Sequence, residues 1–303
     1  MSNTSKKVVA IVVTYNGASW IEKCFSSVLQ SSIPVHVIAI DNASTDDTVP
    51  AIQRDFPQIE LIASKVNLGF GKANNIGLKK ALALQADFIF LLNQDAWVDK
   101  NCIEKLTILL LTYPGIHLLS PYHLNYNTNG TEEYFNDFVL KQYTPGYAHP
   151  GTKEIYETSF VHAAGWMLPI ATVTTVGGFD PLFEHTGEDN DYIQRLHYLG
   201  LKAGLTTLAV MYHQGTNEGL LNPAFNYRLK LNTALLKLKN PHATGTGAWL
   251  LWGKNSFSAI AKMISCGNVK CLKSEIKLFC EISQMSRRIR KARVQQHQKG
   301  AFI

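Results

Sequence analysis

The sequence predicts an α/β fold, a parallel sheet with helices on both faces. Across the first hundred residues, short β-branched apolar runs alternate four times with stretches of helical periodicity. That alternation marks strand–helix–strand units. Each run also stops abruptly at a small polar loop, and right-handed crossovers collect such loops along one edge of the sheet.

The elements follow in order. Residues 7–13 (KVVAIVV) are continuous and β-branched, a strand buried on both faces. They end in Thr14-Tyr15-Asn16-Gly17. A helix follows from Trp20 to Leu29, with Ile21, Cys24, Phe25 and Val28 at helical spacing. Pro34 breaks the connection, and Val35 to Ile40 is a second strand that runs into Asp41-Asn42-Ala43-Ser44. Ser44 or Asp46 can cap the next helix. Ile59 to Ala63 is a short third strand; Asn67-Leu68-Gly69-Phe70-Gly71-Lys72-Ala73-Asn74 follows, with a helix from about Ala73 to Leu84. Phe88 to Leu92 is a fourth strand and stops at Asn93-Gln94-Asp95.

In open α/β sheets ligands bind beyond the carboxyl ends of the strands. That edge holds Thr14, Tyr15, Asn16, Asp41, Asn42, Asn67 to Asn74 and Asn93 to Asp95. Small polar groups with an aspartate after the second strand suit a nucleoside diphosphate. Asp41 can accept from a base or a ribose hydroxyl, and the amides at Gly69 and Gly71 lie near a helix N-terminus, where phosphate is favoured. Asp95 either holds a divalent cation against that phosphate or is one acid of a polar turn. A dinucleotide fingerprint would follow the first strand, whereas Gly69-Phe70-Gly71 follows the third. No phosphate-loop motif occurs.

Residues 120–160 are rich in Tyr, Asn, Gly, Pro and Thr and lack helical periodicity. They are expected to form short antiparallel strands and loops, one wall of a cleft. Ala163 to Pro169 is a further strand. Glu188, Asp189 and Asp191 open a helix that buries Tyr192, Ile193, Leu196 and Leu199 and stops at Gly200. First-turn acids match a helix dipole; three beside a glycine also make a general-base candidate. Leu205 to Met211 is a strand delivering Tyr212-His213-Gln214-Gly215, where His213 is either structural or a ligand.

Composition narrows the class. With 46% hydrophobic and 17% charged residues over 303 positions, the chain is that of an ordinary globular protein. No apolar run reaches the roughly 18 residues a membrane span needs. The N-terminus begins a strand and lacks a signal-peptide cleavage site. Five scattered cysteines without a C-x-x-C pair fit a reducing cytoplasm and argue against a zinc site. The net charge of +6 is uneven: residues 254–303 carry 11 Lys/Arg and 2 Asp/Glu, while the first 253 hold 18 and 21. The basic character belongs to the tail, so nucleic acid is not an expected partner.

Six motifs in fixed order, VVTYNG, IDNASTDDT, NLGFGKANNIG, FLLNQDAWV, GGFDPLFEHTGEDNDYIQRLHYLG and YHQG, resemble the family 2 glycosyltransferases. The likeness is greatest to the rhamnosyltransferase-like branch of bacterial cell-surface polysaccharide synthesis, and it covers roughly residues 6–240. The resemblance implies a GT-A fold, a nucleotide-binding sandwich with a mixed, mostly parallel central sheet, here with a helical C-terminal extension. It implies that Thr14, Tyr15, Asn16, Asp41 and Asn42 hold the nucleoside, and that Asn67, Gly69, Lys72 and Asn74 lie near the diphosphate. The family's D-x-D motif, which binds Mg²⁺ or Mn²⁺, reads Asn93-Gln94-Asp95, and His213 matches the late histidine of that metal site. Asp189 corresponds to the catalytic base of an inverting transfer, with Glu188 and then Asp191 as alternatives, and Gly165 and Trp166 are the residues then expected to meet the donor or acceptor sugar.

The implied domains are 1–240, catalytic, with a nucleotide-binding half (1–100) and an acceptor and base half (101–240), and a basic helical extension, 241–303. In the extension Leu272, Ile276, Phe279, Ile282, Met285, Ile289 and Ala292 form an apolar stripe among lysines and arginines. It has two readings: a helix lying on an anionic membrane surface at the cytoplasmic face, or one packed on the catalytic domain. The expected partners are a UDP- or dTDP-linked sugar and a glycan or lipid-linked acceptor, with oligomerisation left open. Asn93 in place of an acid keeps a catalytically silent nucleotide-sugar binding or scaffold protein as the rival. A sugar nucleotidyltransferase would need a glycine-rich basic loop after the first strand, where this chain has Tyr15-Asn16-Gly17.

Overall fold

Strands made of continuous apolar residues need cover on both faces, and the chain supplies it. The computed structural model describes residues 6–126, 130–133, 135–146, 153–184, 186–214 and 223–303. Its first half is β1 (Val8–Thr14), α1 (Ile21–Leu29), β2 (Val35–Asp41), α2 (Thr48–Asp55), β3 (Glu60–Ala63), α3 (Phe70–Ala83), β4 (Phe88–Asn93), β5 (Ala96–Val98) and α4 (Cys102–Thr112). The second half is β6 (Leu118–Asn125), a π-helical turn (Phe135–Leu140) running into α5 (Lys141–Tyr143), β7 (Tyr156–Thr158), β8 (Gly165–Pro169), α6 (Ile170–Val176), α7 (Glu188–Tyr198) and β9 (Ala203–His213). The chain ends in α8 (Pro223–Lys239), α9 (Gly245–Ser265), α10 (Val269–Gln284) and α11 (Ser286–Gln295).

Among the described residues the strands form one sheet in the order β3-β2-β1-β4-β8-β6-β9-β5, with β7 also paired to β9. β1 to β4 are mutually parallel; β8 runs antiparallel to β4 and β6, and β6 runs parallel to β9. The sheet is therefore mixed and mostly parallel in the half that carries the first four loops. The period of two along β1 divides the core. Val8, Ala10 and Val12 pack with Phe25, Ile52 and Leu106 of α1, α2 and α4. Val9 and Ile11 pack with Leu78, Val173 and Tyr192 of α3, α6 and α7.

The structure differs from expectation in three places. Helix α3 starts at Phe70 instead of Ala73, because Gly69 turns the chain with φ +78° while Asn67 Oδ1 accepts its N–H at 2.9 Å. Gly71 and Lys72 are thus first-turn residues. The expected cleft wall at 120–160 contains the π-helical turn, which buries Phe135, Val139 and Leu140 and is too short to register as a period. Residues 127–129 and 147–152 of that wall, and Gly215, lie outside the described residues. The tail stripe is two helices meeting at Met285, and its later part packs inward: Ile282, Ile289 and Ala292 are buried against Leu182, Phe183, Leu235 and Leu238, while Ile276 is exposed. Arg293 donates to the carbonyls of Leu238, Asn240 and Ala243. No described helix is long and apolar enough to cross a membrane.

Candidate active site

The loops at the carboxyl ends of β1 to β4 are stitched to one another by their own side chains. Thr14 and Asp41 face each other in the β1–β2 register, and the Thr14 hydroxyl donates to Asp41 Oδ1 at 3.0 Å. Asp41 Oδ2 accepts the Ser44 N–H at 2.9 Å, so this buried carboxylate organises two loops. Asn16 Oδ1 accepts the Thr45 N–H at 2.8 Å, and Asn42 Oδ1 accepts the Leu68 N–H at 2.7 Å. Gln94 pairs with the Tyr15 backbone twice: it accepts Tyr15 N–H at 2.9 Å and donates to Tyr15 C=O at 3.1 Å. What these ties enclose is a cleft of ≈ 240 Å³. Tyr15, Asn42, Asn67, Gly69, Asn93, Gln94 and Asp95 line it, and Val13 and Phe70 give it an apolar side. Phe70 was absent from the sequence-derived site; its place after Gly69, at a helix start, was the available signal.

At the lip of the cleft Asp95 Oδ1 lies 3.5 Å from His213 Nε2, and Asn93 Nδ2 lies 3.3 Å from the same nitrogen. The β5–β9 ladder causes this, because its register pairs Ala96 with His213. Burial opposes ionisation of Asp95, but the hydrogen bond and charge of His213 outweigh it and hold the carboxyl below its ordinary range. Burial likewise opposes protonation of His213; the Asp95 hydrogen bond and charge, with Glu132, raise it. A half-buried carboxylate beside an imidazole is a fitting donor pair for Mg²⁺ or Mn²⁺ whose remaining positions a diphosphate would fill.

Three further histidine-cluster residues were not singled out in the sequence: His123 on β6, Glu132 and His162 stand around His213. They come from separate segments with no ligand-like spacing, so no motif could have found them. Burial and the neighbouring imidazoles keep His123 well below its ordinary pKa, and burial with His213 takes His162 to about 3.

The acids at the start of α7 divide into two roles. Asp189 is half-buried and accepts the Asn190 backbone N–H at 2.7 Å and side-chain amide at 3.1 Å. The Ala163 N–H also points at it, while burial raises its pKa. Glu188 is buried, and its Oε2 has no hydrogen-bond partner among the described residues. Burial and then the Asp189 charge push it up to about 8. Glu188 sits close to the start of α3: a Cβ on Gly71 would stand 3.6 Å from Glu188 Cβ and 2.9 Å from Phe179 Cβ. Only a glycine lets the first turn of α3 approach Phe179, in the loop before α7, so closely. Asp191 faces the other way. Its oxygens are spent on Lys239 Nζ (2.7 Å) and Arg195 Nε (2.9 Å), and Lys239 also binds Asp180. All four are at most 2% exposed, a neutral buried quartet of two acids and two bases. That quartet gives Asp191 a structural task.

Three other predicted residues also sit away from the cleft. Trp166 is 0% exposed, packed on Phe179 and Tyr192, and has no surface to offer a sugar. Gly165 is buried too; a side chain there would collide with the Met211 sulfur. This corrects their placement as sugar contacts: the alternation of β8 aims both positions into the packed faces of the sheet. Asn74 is buried in α3 and donates to the Phe70 carbonyl at 3.0 Å. Lys72, half-buried at the same helix start, has no side-chain bond to a described residue.

Comparison with known proteins agrees with this geometry. An N-acetylglucosaminyl-diphospho-decaprenol L-rhamnosyltransferase of Mycobacterium tuberculosis is 36% identical over 120 residues, covering 37% of this chain and 39% of the relative. The chain spans 18% to 39% of the length of such curated relatives. Among solved structures, residues 1–349 of TarS from S. aureus in complex with UDP superpose with a TM-score of 0.55 at 16% identity, covering 80% of this chain and 68% of that one. GalNAc-T7 with UDP, GalNAc and Mn²⁺ gives 0.58 at 15% identity, covering 79% and 51%. Both share the GT-A fold with this chain. Residues 9–166, more than half of the chain, match the profile of glycosyl transferase family 2, which covers β1 to the start of β8 and every loop of the cleft: the protein belongs to that family.

Proposed function

We propose that the protein is an inverting, metal-dependent glycosyltransferase that moves a sugar from a UDP- or dTDP-linked donor to a hydroxyl of a glycan or lipid-linked acceptor in bacterial cell-surface polysaccharide synthesis. The observation that carries the proposal is the cleft itself. Its walls come from four separate loops, and seven of the residues expected to hold a nucleotide and its cation line it. In this reading Tyr15 and Asn42 take the nucleoside, with Thr14, Asn16 and Asp41 holding their loops in place. Asn67, Gly69 and Lys72 stand at the diphosphate, and Asp95 with His213 would hold Mg²⁺ or Mn²⁺. The cation would neutralise charge developing on the leaving diphosphate. UDP in the TarS complex and UDP with Mn²⁺ in the GalNAc-T7 complex support the same choice of ligands.

Asp189 is assigned the proton transfer. As the acceptor oxygen attacks the anomeric carbon, Asp189 takes the hydroxyl proton, and the bond from that carbon to the diphosphate oxygen breaks on the opposite face. Glu188, favouring its protonated form, leaves Asp189 as the better base of the pair. Membrane contact is a proposal that rests on α9, where Leu250, Leu251 and Phe257 are exposed beside Lys254; flotation with anionic vesicles tests it. The scaffold reading predicts nucleotide-sugar binding without turnover. Donor hydrolysis in Mn²⁺ that Asp189→Asn abolishes supports the enzyme, and absence of turnover with every UDP-, dTDP- and GDP-sugar supports the scaffold.

A further inference from the structure

Beside the Asp95 lip lies a second group of ligating side chains, of which the proposed transfer reaction uses only His213. His123, His162 and His213 each place a ring nitrogen, and Glu132 a carboxylate oxygen, within 4.8 Å of one another. The ring centroids are 4.9 Å apart for His123–His162, 6.0 Å for His162–His213 and 6.3 Å for His123–His213. Glu132 Oε2 lies 3.7 Å from His162 Nε2. Two neighbouring strands bring the outer pair together: β6 and β9 run in parallel, with His123 opposite Met211 and Asn125 opposite His213. Glu132 is fixed to the same strand, since its N–H donates to the His123 carbonyl at 3.1 Å.

Packing alone accounts for part of this. His123 stacks on Phe135 at 4.3 Å and 15°, and its Nε2 meets the Ser120 hydroxyl at 3.0 Å. Packing does not account for the remaining nitrogens. Nδ1 of His123 and Nδ1 of His213 are both buried without a hydrogen-bond partner among the described residues. A buried, unsatisfied polar atom costs about 1–3 kcal/mol, and two in one small cluster is a large debt for a core to carry. A cation bound by imidazole nitrogens would remove it.

We propose that His123, His162, His213 and Glu132 form a transition-metal site for Zn²⁺ or a cation of its class. Three imidazoles with one carboxylate suit a borderline-soft cation and disfavour Mg²⁺, which takes oxygen ligands. A zinc ion with Zn–N of about 2.0–2.1 Å draws its ligand atoms to about 3.4 Å apart, so the side chains close inward on binding. The site is separate from the diphosphate's cation, which takes its carboxylate from Asp95. The two share His213, whose Nε2 faces Asp95 and Asn93; ions on both ring nitrogens together require the ring to release its remaining proton to solvent and bridge them as an imidazolate. A cation in the cluster would therefore fix the ring against which Asp95 is held. The proposal needs no nucleotide and stands whether or not the chain transfers a sugar.

The test is Co²⁺ binding to the metal-stripped full chain without nucleotide, followed by visible absorption, with Zn²⁺ as competitor. The expected result is one equivalent of Co²⁺ with the bands of a four-coordinate site, displaced by Zn²⁺. His162→Gln and Glu132→Gln should each bind at least about tenfold more weakly while melting, metal-free, at the wild-type midpoint. Asp95→Asn removes only the outer partner of His213 Nε2, so it should still take up one equivalent of Co²⁺ with the same four-coordinate bands, at an affinity lowered by no more than about 10–100-fold. His162 is chosen because its side chain is 14% exposed, so glutamine can be accommodated where His123→Gln fails to fold. No Co²⁺ uptake without nucleotide would overturn the proposal. So would uptake that survives both Gln variants or vanishes in Asp95→Asn.

Discussion

Asp189 and Asn93 are tied to consecutive residues of the chain: the Ala163 N–H points at the Asp189 carboxylate, and the Ala164 carbonyl accepts the Asn93 N–H at 3.0 Å. The base assigned to the acceptor and the loop assigned to the leaving group therefore meet across two residues that enter β8. For Asp189→Asn we expect kcat to fall roughly 10²–10⁴-fold with donor affinity unchanged. Steady-state kinetics with a UDP-sugar, beside calorimetry with UDP, measures both. A loss of UDP affinity equal to the loss of rate would place Asp189 in donor binding instead.

Glu188 gives a pH dependence of stability. Its folded pKa of about 8 lies above the ordinary 4.5, so the folded chain holds a proton that the unfolded chain releases. The contribution is fully present below about 4.5 and is lost as pH rises through about 8. Glu188→Gln keeps the neutral form at every pH. Denaturant titration should find it more stable than wild type near pH 9 by on the order of a few kcal/mol, and level with wild type near pH 4. An equal difference at both values would refute the assignment.

Lys239 answers for two buried carboxylates at once, Asp180 and Asp191. In Lys239→Met, Asp191 keeps Arg195 but Asp180 loses its cation, and removing one partner of a buried ion pair costs about 3–5 kcal/mol. Adding Asp180→Asn should recover part of that loss. Chemical denaturation of the two variants reads the difference; a Lys239→Met variant as stable as wild type would show that the quartet is dispensable.

Trp166 is a core residue and not the expected sugar contact. Trp166→Ala should cost about 3–5 kcal/mol of stability, and the protein that remains folded should keep its KM for donor and acceptor. A raised KM at unchanged stability would return Trp166 to the sugar site.

The alternation of apolar runs and helical stretches made β1 to β4 and their polar ends legible, because a buried parallel strand reads as an unbroken β-branched run. The cleft residues followed from where those runs stop. What the sequence hid were contacts made by register and docking. Asp191 and Asp189 sit two residues apart in one helix turn, and only the arrival of Lys239 from α8 separates a structural acid from a candidate base. His123, Glu132 and His162 approach His213 through strand pairing. Trp166, expected as a sugar contact, is turned inward by the period of two along β8 and packs on Phe179 and Tyr192.

The central claim is that Asp95, held against His213 at 3.5 Å, places a divalent cation on the donor diphosphate. Calorimetric titration of UDP into wild type and Asp95→Asn, each with and without Mn²⁺, tests it most directly. We expect Mn²⁺ to tighten UDP binding in the wild type and to have no effect in Asp95→Asn, with the melting temperatures of the two proteins alike. An undiminished Mn²⁺ effect in Asp95→Asn would contradict the account.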